Sequence, residues 1–405
     1  MNKQYSTDIT NPFARLRALL GDSQPGMTPA IDMTIGAPRH DFPDFVKEIL
    51  ADKHGLYIKY PPVRAIPELG EALGKWLERR YELSGQIDFE TMLLPLMGSR
   101  EGLFSGVFTA RAMKERGMDQ GESLSALIPN PFYQVYAAGA LAAGLEPVYL
   151  EAPEDNGYLP DLDRLQQNPK LLDRTCVLFL CSPSNPQGAI ASKAYLQKAI
   201  TLARTHDFMI FADECYSEIY FAEKPMGILQ AASLLSGNFS KVVAFNSLSK
   251  RSNLPGLRSG FVAGDPDFIH KYAGFRNVSC PQMPLPVQYA SARIWADEAH
   301  VIENRLLYSQ KMDLAEKILK NHILFKKPGG GFFLWIKMSD LGGGERAAER
   351  FWKGCGVKML PGAYLAKEDL GAPEEANPAY SDVRIALVHD LETTRSALER
   401  LVSVI

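Results

Sequence analysis

Seven short apolar runs, at residues 92–97, 124–129, 146–151, 176–181, 208–213, 241–246 and 259–263, alternate with stretches of helical periodicity. This alternation is the strongest limit on how the chain can fold. Runs such as "VLFLC" (177–181) and "VVAF" (242–245) have no polar face, so a strand made from either must be covered on both sides. Between the runs, apolar residues at helical spacing predict helices over 101–116, 132–143, 193–206 and near 227–235. A strand and helix alternation of this length gives a mainly parallel sheet with helices on both faces, an α/β fold.

The pattern differs at both ends. Ahead of the first run, a short helix is expected near 11–20, a short strand in "AIDMTIGAP" ending at Gly36, and helices over 43–53 and 66–83. Trp76 and Tyr81 on the last of these are read as packing. From about residue 285 a long helix through 319 leads to a strand in "GGFFLWIKM", a helix over 345–355, and short strands near 357 and 383. That order suits a smaller α+β region. The expected division is an N-terminal arm (1–43) packing with a small C-terminal domain (286–405), and a large domain (44–285) between them.

Composition narrows the function. A formal charge of -3 gives no basic footprint for nucleic acid or for an anionic membrane. No apolar run reaches the roughly 18 residues that span a bilayer, and the first 20 residues lack the apolar core of a secretory leader, so a cytoplasmic protein is expected. Five scattered cysteines without a CxxC pair suggest reduced thiols, with no zinc site or disulfide frame. The seven histidines show no HExxH spacing, and no metal is expected. "GGGERA" (342–347) fits a dinucleotide fingerprint only superficially, because it lies outside the alternating region.

In a parallel sheet the loops after the strands open at one edge, where residues distant in sequence meet. "GSREGLF" after the first run offers backbone N–H groups at a helix start, suited to a phosphate. "NPFYQVY" brings aromatics to the edge, "SPSNPQG" an amide (Asn185), "DECYSEIY" an acid and a phenol three residues apart, and "NSLSKRSNLPGLRSG" a lysine (Lys250) and an arginine (Arg258). A lone loop lysine is usually just solvated. Together, these groups suit a flat, phosphorylated, nitrogen-containing aromatic aldehyde: lysine to form a Schiff base, aspartate for a protonated ring nitrogen, an aromatic to stack, and amide and phenol for a phenolate.

"SPSNPQG", "ADECY" and "SLSKRSNLPGLRSG" together resemble the class I aminotransferase group of fold type I pyridoxal-phosphate enzymes, from about residue 11 to the end. The resemblance implies a three-layer α/β/α pyridoxal-phosphate domain of the aspartate aminotransferase type with a smaller α+β domain. It implies that Lys250 links to the cofactor and moves the substrate proton, that Asp213 pairs with the ring nitrogen, and that Tyr216 and Asn185 bond to the phenolate. Tyr133 would stack on the ring. Ser99 and Arg100 would offer N–H groups to the phosphate, with the Ser247 hydroxyl and the Arg258 guanidinium. Arg384 in "SDVRIAL" would grip the substrate α-carboxylate, Gly36 would let the backbone close on it, and Tyr60 would reach the phosphate of a second subunit in a homodimer. Ser249 and Ser252 are left to loop polarity.

Within the group, "NPFARLRALL", "TIGAPRHDFP", "KYPPVRAIPELGEAL" and "NPFYQVY" resemble the N-succinyldiaminopimelate aminotransferases, which use glutamate as amino donor. The sequence departs from that pattern at Ala37, where an acid is usual, and in "VRAIPELGEA". Another dicarboxylic or aromatic amino acid therefore remains an alternative, as does a lyase on the same fold. Arg15, Arg17 and Arg64 are candidates for a distal carboxylate, although surface exposure is the expected fate of each. A regulatory protein keeping the cofactor domain as a sensor would need a DNA-binding module, for which only about 30 residues precede "IDMTIG".

Overall fold

The computed structural model describes residues 11–115, 123–324, 326–367 and 372–405. The first ten residues of the expected arm and residue 116 of the expected helix 101–116 lie outside them. In chain order the strands are β1 (Ile31–Asp32), β2 (Leu93–Leu96), β3 (Ser125–Asn130), β4 (Glu146–Glu151), β5 (Thr175–Cys181), β6 (Met209–Asp213), β7 (Val242–Ser247), β8 (Gly260–Gly264), β9 (Phe333–Lys337), β10 (Val357–Lys358), β11 (Leu360–Pro361) and β12 (Asp382–Ala386). The seven expected runs became β2 to β8, each within two residues of its predicted limits.

These seven form one sheet in the order β2-β8-β7-β6-β5-β3-β4. Its core ladders from β4 through β7 are parallel, whereas β8 is antiparallel to both neighbours, with Gly260 opposite Ser247 on β7 and Leu96 on β2. The reversal matters for the site. Strands β2, β3, β5, β6 and β7 end at one edge, and β8 begins there, so the residues just before β8 reach the same place as those just after the others.

The sheet is covered on both faces, as its unbroken apolar strands require. Leu178, Leu180 and Ile210 pack with Trp76, Leu77 and Tyr81 of the helix Pro67–Tyr81 on one side. Val177, Phe179 and Phe211 face the other side, against Leu103 and Val107 of the helix Ser99–Glu115. Trp76 is only 1% exposed, so packing accounts for it.

The second region is a three-stranded antiparallel sheet, β11-β12-β9. The arm joins it through β1, which pairs in parallel with β10, and Leu16 and Leu20 of the helix Pro12–Leu20 share its core. The expected helix over 285–319 is two helices, Leu285–Ala296 and Ala299–Leu319. The break goes with a tertiary contact: the buried guanidinium of Arg251 takes the carbonyls of Ile294 and Asp297 (3.0 and 3.1 Å), which an unbroken helix would use internally. Asp297 then caps the second helix at the His300 N–H (3.3 Å).

Candidate active site

At the strand-end edge lies a cavity of about 640 Å³ between the large sheet and the second region. Gly36, Ser99, Arg100, Tyr133, Asn185, Asp213, Tyr216, Lys250, Arg258 and Arg384 all line it. Four cationic side chains face one carboxylate there, so the cavity favours an anionic occupant.

Lys250 sits on a single helical turn, Leu248–Arg251, entered directly from β7. Its ammonium meets the Gly36 carbonyl. Loss of hydration, the main influence, lowers its pKa to about 8. Roughly a tenth of it is then neutral at pH 7, against a few parts in ten thousand for an ordinary lysine. Gly36 is required by close approach, because a Cβ there would come 2.5 Å from the Phe333 ring.

Asp213 ends β6 and is buried, which raises its carboxyl pKa. One oxygen accepts the Tyr136 hydroxyl (2.8 Å) and the other the Cys215 N–H (3.3 Å). Neither donor carries a charge. A cation brought to this carboxylate would favour its ionised form. Tyr136 is a residue that the sequence reading missed; its position three residues after Tyr133, on the same face of a helix start, was the available signal.

The next group is built for an anion. Gly98 (φ +81°) turns the chain out of β2 so that Ser99 and Arg100 open a 17-residue helix whose first N–H groups have no internal partners. A Cβ on Gly98 would fall 2.2 Å from the Arg258 guanidinium, which donates to the carbonyls of Pro255 (2.7 Å) and Met97 (2.9 Å). Ser247 does not reach the cavity wall: its hydroxyl caps the lysine-bearing turn, accepting the Ser249 N–H at 3.0 Å. Ser249, left to loop polarity in the sequence, lines the cavity and is bonded to Ser247 Oγ at 2.8 Å.

On the opposite wall Arg384, in the middle of β12, donates to Asn185 Oδ1 (3.0 Å) and the Thr34 carbonyl (2.9 Å), and its Nε is buried without a partner. Burial lowers its pKa to about 10, so it stays charged at neutral pH. No carboxylate among the described residues pairs with it. Its guanidinium lies over the Phe333 ring (4.3 Å), and the Tyr216 ring meets the Phe332 and Phe333 rings edge-on.

A buried acid whose two hydrogen-bond donors are neutral, a glycine-shaped anion cradle, a lysine with a lowered pKa and an arginine Nε with no hydrogen-bond partner among the described residues are a set that fits pyridoxal phosphate and an amino-acid carboxylate. Residues 28–401 match the family model for aminotransferase class I and II. The chain belongs to this family. Its members are pyridoxal-phosphate-dependent transaminases, and so is this one. An aminotransferase from Neisseria meningitidis Z2491 is 38% identical, with a TM-score of 0.88 over 97% of this chain and 96% of that one. An LL-diaminopimelate aminotransferase of Syntrophobacter fumaroxidans is 27% identical over 92% of this chain and 90% of its own length. The aspartate aminotransferase of Pyrococcus abyssi is 28% identical over 98% and 97%. The fold is therefore the fold type I of class I aminotransferases, as the motifs implied.

Two expected groups lie elsewhere. Tyr60 is fully exposed, near exposed Tyr57 and Ile58. Of the arginines considered for a distal carboxylate, Arg64 bonds the Glu90 carbonyl (2.6 Å), Arg15 pairs with Glu345 (3.8 Å) and covers Tyr364, and Arg17 is exposed on the first helix. None of the three lines the cavity, whereas the Arg100 side chain does. It bonds the Tyr133 hydroxyl through Nε, with its guanidinium 5.5 Å from the ring centre. Among the described residues no helix is long and apolar enough to cross a membrane.

Proposed function

We propose that this transaminase moves an amino group from glutamate to N-succinyl-2-amino-6-ketopimelate by a two-stage exchange. The observation that carries the substrate reading is a third cavity arginine. Arg258 and the Ser99–Arg100 N–H groups suit the cofactor phosphate, with the Ser247–Ser249 hydroxyl pair beside them, and Arg384 suits the α-carboxylate. The Arg100 guanidinium remains for a distal carboxylate, which both glutamate and the pimelate carry. The diaminopimelate named for the Syntrophobacter relative is likewise a dicarboxylate.

Bound pyridoxal phosphate supplies an aldehyde and an electron-withdrawing ring. Lys250, reactive in its neutral form, would hold the cofactor through that aldehyde and, once freed by substrate, would take and return the α-proton. Asp213 would keep the ring nitrogen protonated. Tyr216 and Asn185 would hold the phenolate oxygen, Tyr133 would cover the ring, and Gly36 would allow the chain to close on the substrate carboxylate.

Arg100→Ala is expected to raise KM for glutamate about 10- to 100-fold, with a much smaller change for an aromatic amino donor. Steady-state kinetics with both donors check this, and equal losses for the two would remove Arg100 from side-chain recognition. Aromatic amino acids are the second reading, favoured by Pro12, Phe13, Ile35 and Leu365 on the cavity wall. A keto-acid panel separates the two readings.

We also propose a homodimer in which Tyr60 reaches the partner's phosphate, consistent with the exposed Tyr57, Ile58 and Tyr60. Tyr60→Phe should weaken cofactor retention about 10- to 150-fold, the worth of one hydrogen bond to a charged group. Sedimentation and equilibrium dialysis test this; a monomer that retains cofactor fully would refute it.

A further inference from the structure

Against the turn that carries Lys250, a line of polar groups takes no part in the chemistry described above. The turn Leu248–Arg251 is a single turn, too short to hold itself, and its last carbonyls lack helical partners. The Asn304 amide supplies them, with Nδ2 3.3 Å from both the Lys250 and the Arg251 carbonyls. Asn304 is 4% exposed and lies on the helix Ala299–Leu319, far from the lysine in sequence.

Asn304 is held in turn. His40 Nδ1 is 2.7 Å from Asn304 Oδ1, and Lys311 Nζ is 2.5 Å from His40 Nε2. An amide oxygen only accepts, so His40 Nδ1 carries the hydrogen and Nε2 is bare. An ammonium only donates, so it requires that bare nitrogen. Lys311 therefore sets the His40 tautomer, His40 sets the Asn304 amide, and the amide faces its NH2 to the two carbonyls. Reversing Asn304 would put its oxygen against those carbonyls and require the His40 tautomer that turns an N–H toward the ammonium.

Lys311 is 2% exposed and forms no ion pair with an acid among the described residues; besides His40, it meets the Tyr308 ring at 5.1 Å and feels the Asp390 charge. Burial lowers its pKa to about 8 and lowers that of His40 as well, opposed in part by Asn304 and Asp41. The His40 stretch touches the lysine loop at two further points. The Gly36 carbonyl receives Lys250 Nζ, and the Asp41 carbonyl receives Asn253 Nδ2 at 3.1 Å.

We propose that Lys311, His40 and Asn304 form a positioning relay that fixes the turn carrying Lys250 without touching cofactor or substrate. The inference rests on the reading of Lys250 as the reacting lysine. It explains why a buried lysine is placed against a half-buried histidine where an apolar pair would fill the space at lower cost.

The test compares two double variants. His40→Phe with Lys311→Met removes both polar partners in similar volumes and leaves Asn304 Oδ1 without its donor, whereas His40→Asn with Lys311→Met returns a donor to Asn304 alone. In the Phe/Met variant kcat should fall about 10- to 100-fold with KM for glutamate within about twofold, because the lysine is misplaced and binding groups are not. In the cofactor-free protein, hydrogen exchange at the Ser252 and Leu254 amides, both bonded to the Leu248 carbonyl, should quicken about tenfold. The Asn/Met variant should recover both quantities to within about threefold of wild type. The relay is overturned by wild-type kcat and exchange in the Phe/Met variant, or by an Asn/Met variant as impaired as the Phe/Met one, which would make the role one of packing. Should wild type transaminate nothing, the reading of Lys250 fails, and exchange in the cofactor-free variants still decides whether the relay holds the turn.

Discussion

Lys250→Ala is expected to lower turnover by about 10⁴-fold or more, because in the proposed mechanism one side chain would provide both the covalent link and the proton transfer. The fold should survive the change. Among the described residues the Lys250 ammonium has one hydrogen-bond partner, the Gly36 carbonyl, so the stability lost is about one hydrogen bond, on the order of 1 kcal/mol. The anion cradle at Gly98, Ser99 and Arg258 is untouched, and cofactor should still bind without the covalent link. Single-turnover kinetics with glutamate check the rate, and dialysis checks retention. A variant within tenfold of wild type would remove Lys250 from the chemistry.

Asp213→Asn should cost about 10²- to 10⁴-fold in kcat, since a neutral amide cannot keep the ring nitrogen protonated. The substitution is nearly isosteric, and the surroundings tolerate it. Tyr136 can turn its hydroxyl to accept from the amide where it donates to the carboxylate, and the Cys215 N–H keeps an oxygen acceptor. The loss should therefore appear in the rate and cofactor affinity with little change in melting temperature. Normal rates would mean that the ring nitrogen points elsewhere.

Much of this site is legible in the sequence because the chemistry sits where apolar strands stop. Asp213 and Lys250 each end or follow a run whose limits the apolar pattern fixes to within two residues. Features set by tertiary contact are hidden. The break after Ala296 depends on Arg251, 45 residues earlier, competing for carbonyls, and no local pattern carries that. The helix Pro266–Ser279 lies beyond the expected elements although Asp265 and Pro266 form an ordinary start signal, with Asp265 accepting the Asp267 and Phe268 N–H groups. The exchange of Ser247 for Ser249 at the cavity wall is a matter of which hydroxyl the turn consumes as its cap. Spacing alone does not distinguish them. Arg100 belongs to the same class: its backbone role follows from the helix start, but the direction of its side chain follows from Tyr133, which arrives from another strand.

The account turns on one spectrum. Purified protein loaded with pyridoxal phosphate should show the visible band of lysine-bound cofactor, lose it on adding glutamate as the amino form appears, and regain it with the succinylated keto-pimelate. That cycle would establish the exchange and its acceptor together. If no such band forms after the cofactor is supplied, or if it forms and glutamate leaves it unchanged, the assignment of Lys250 and of glutamate as donor is contradicted.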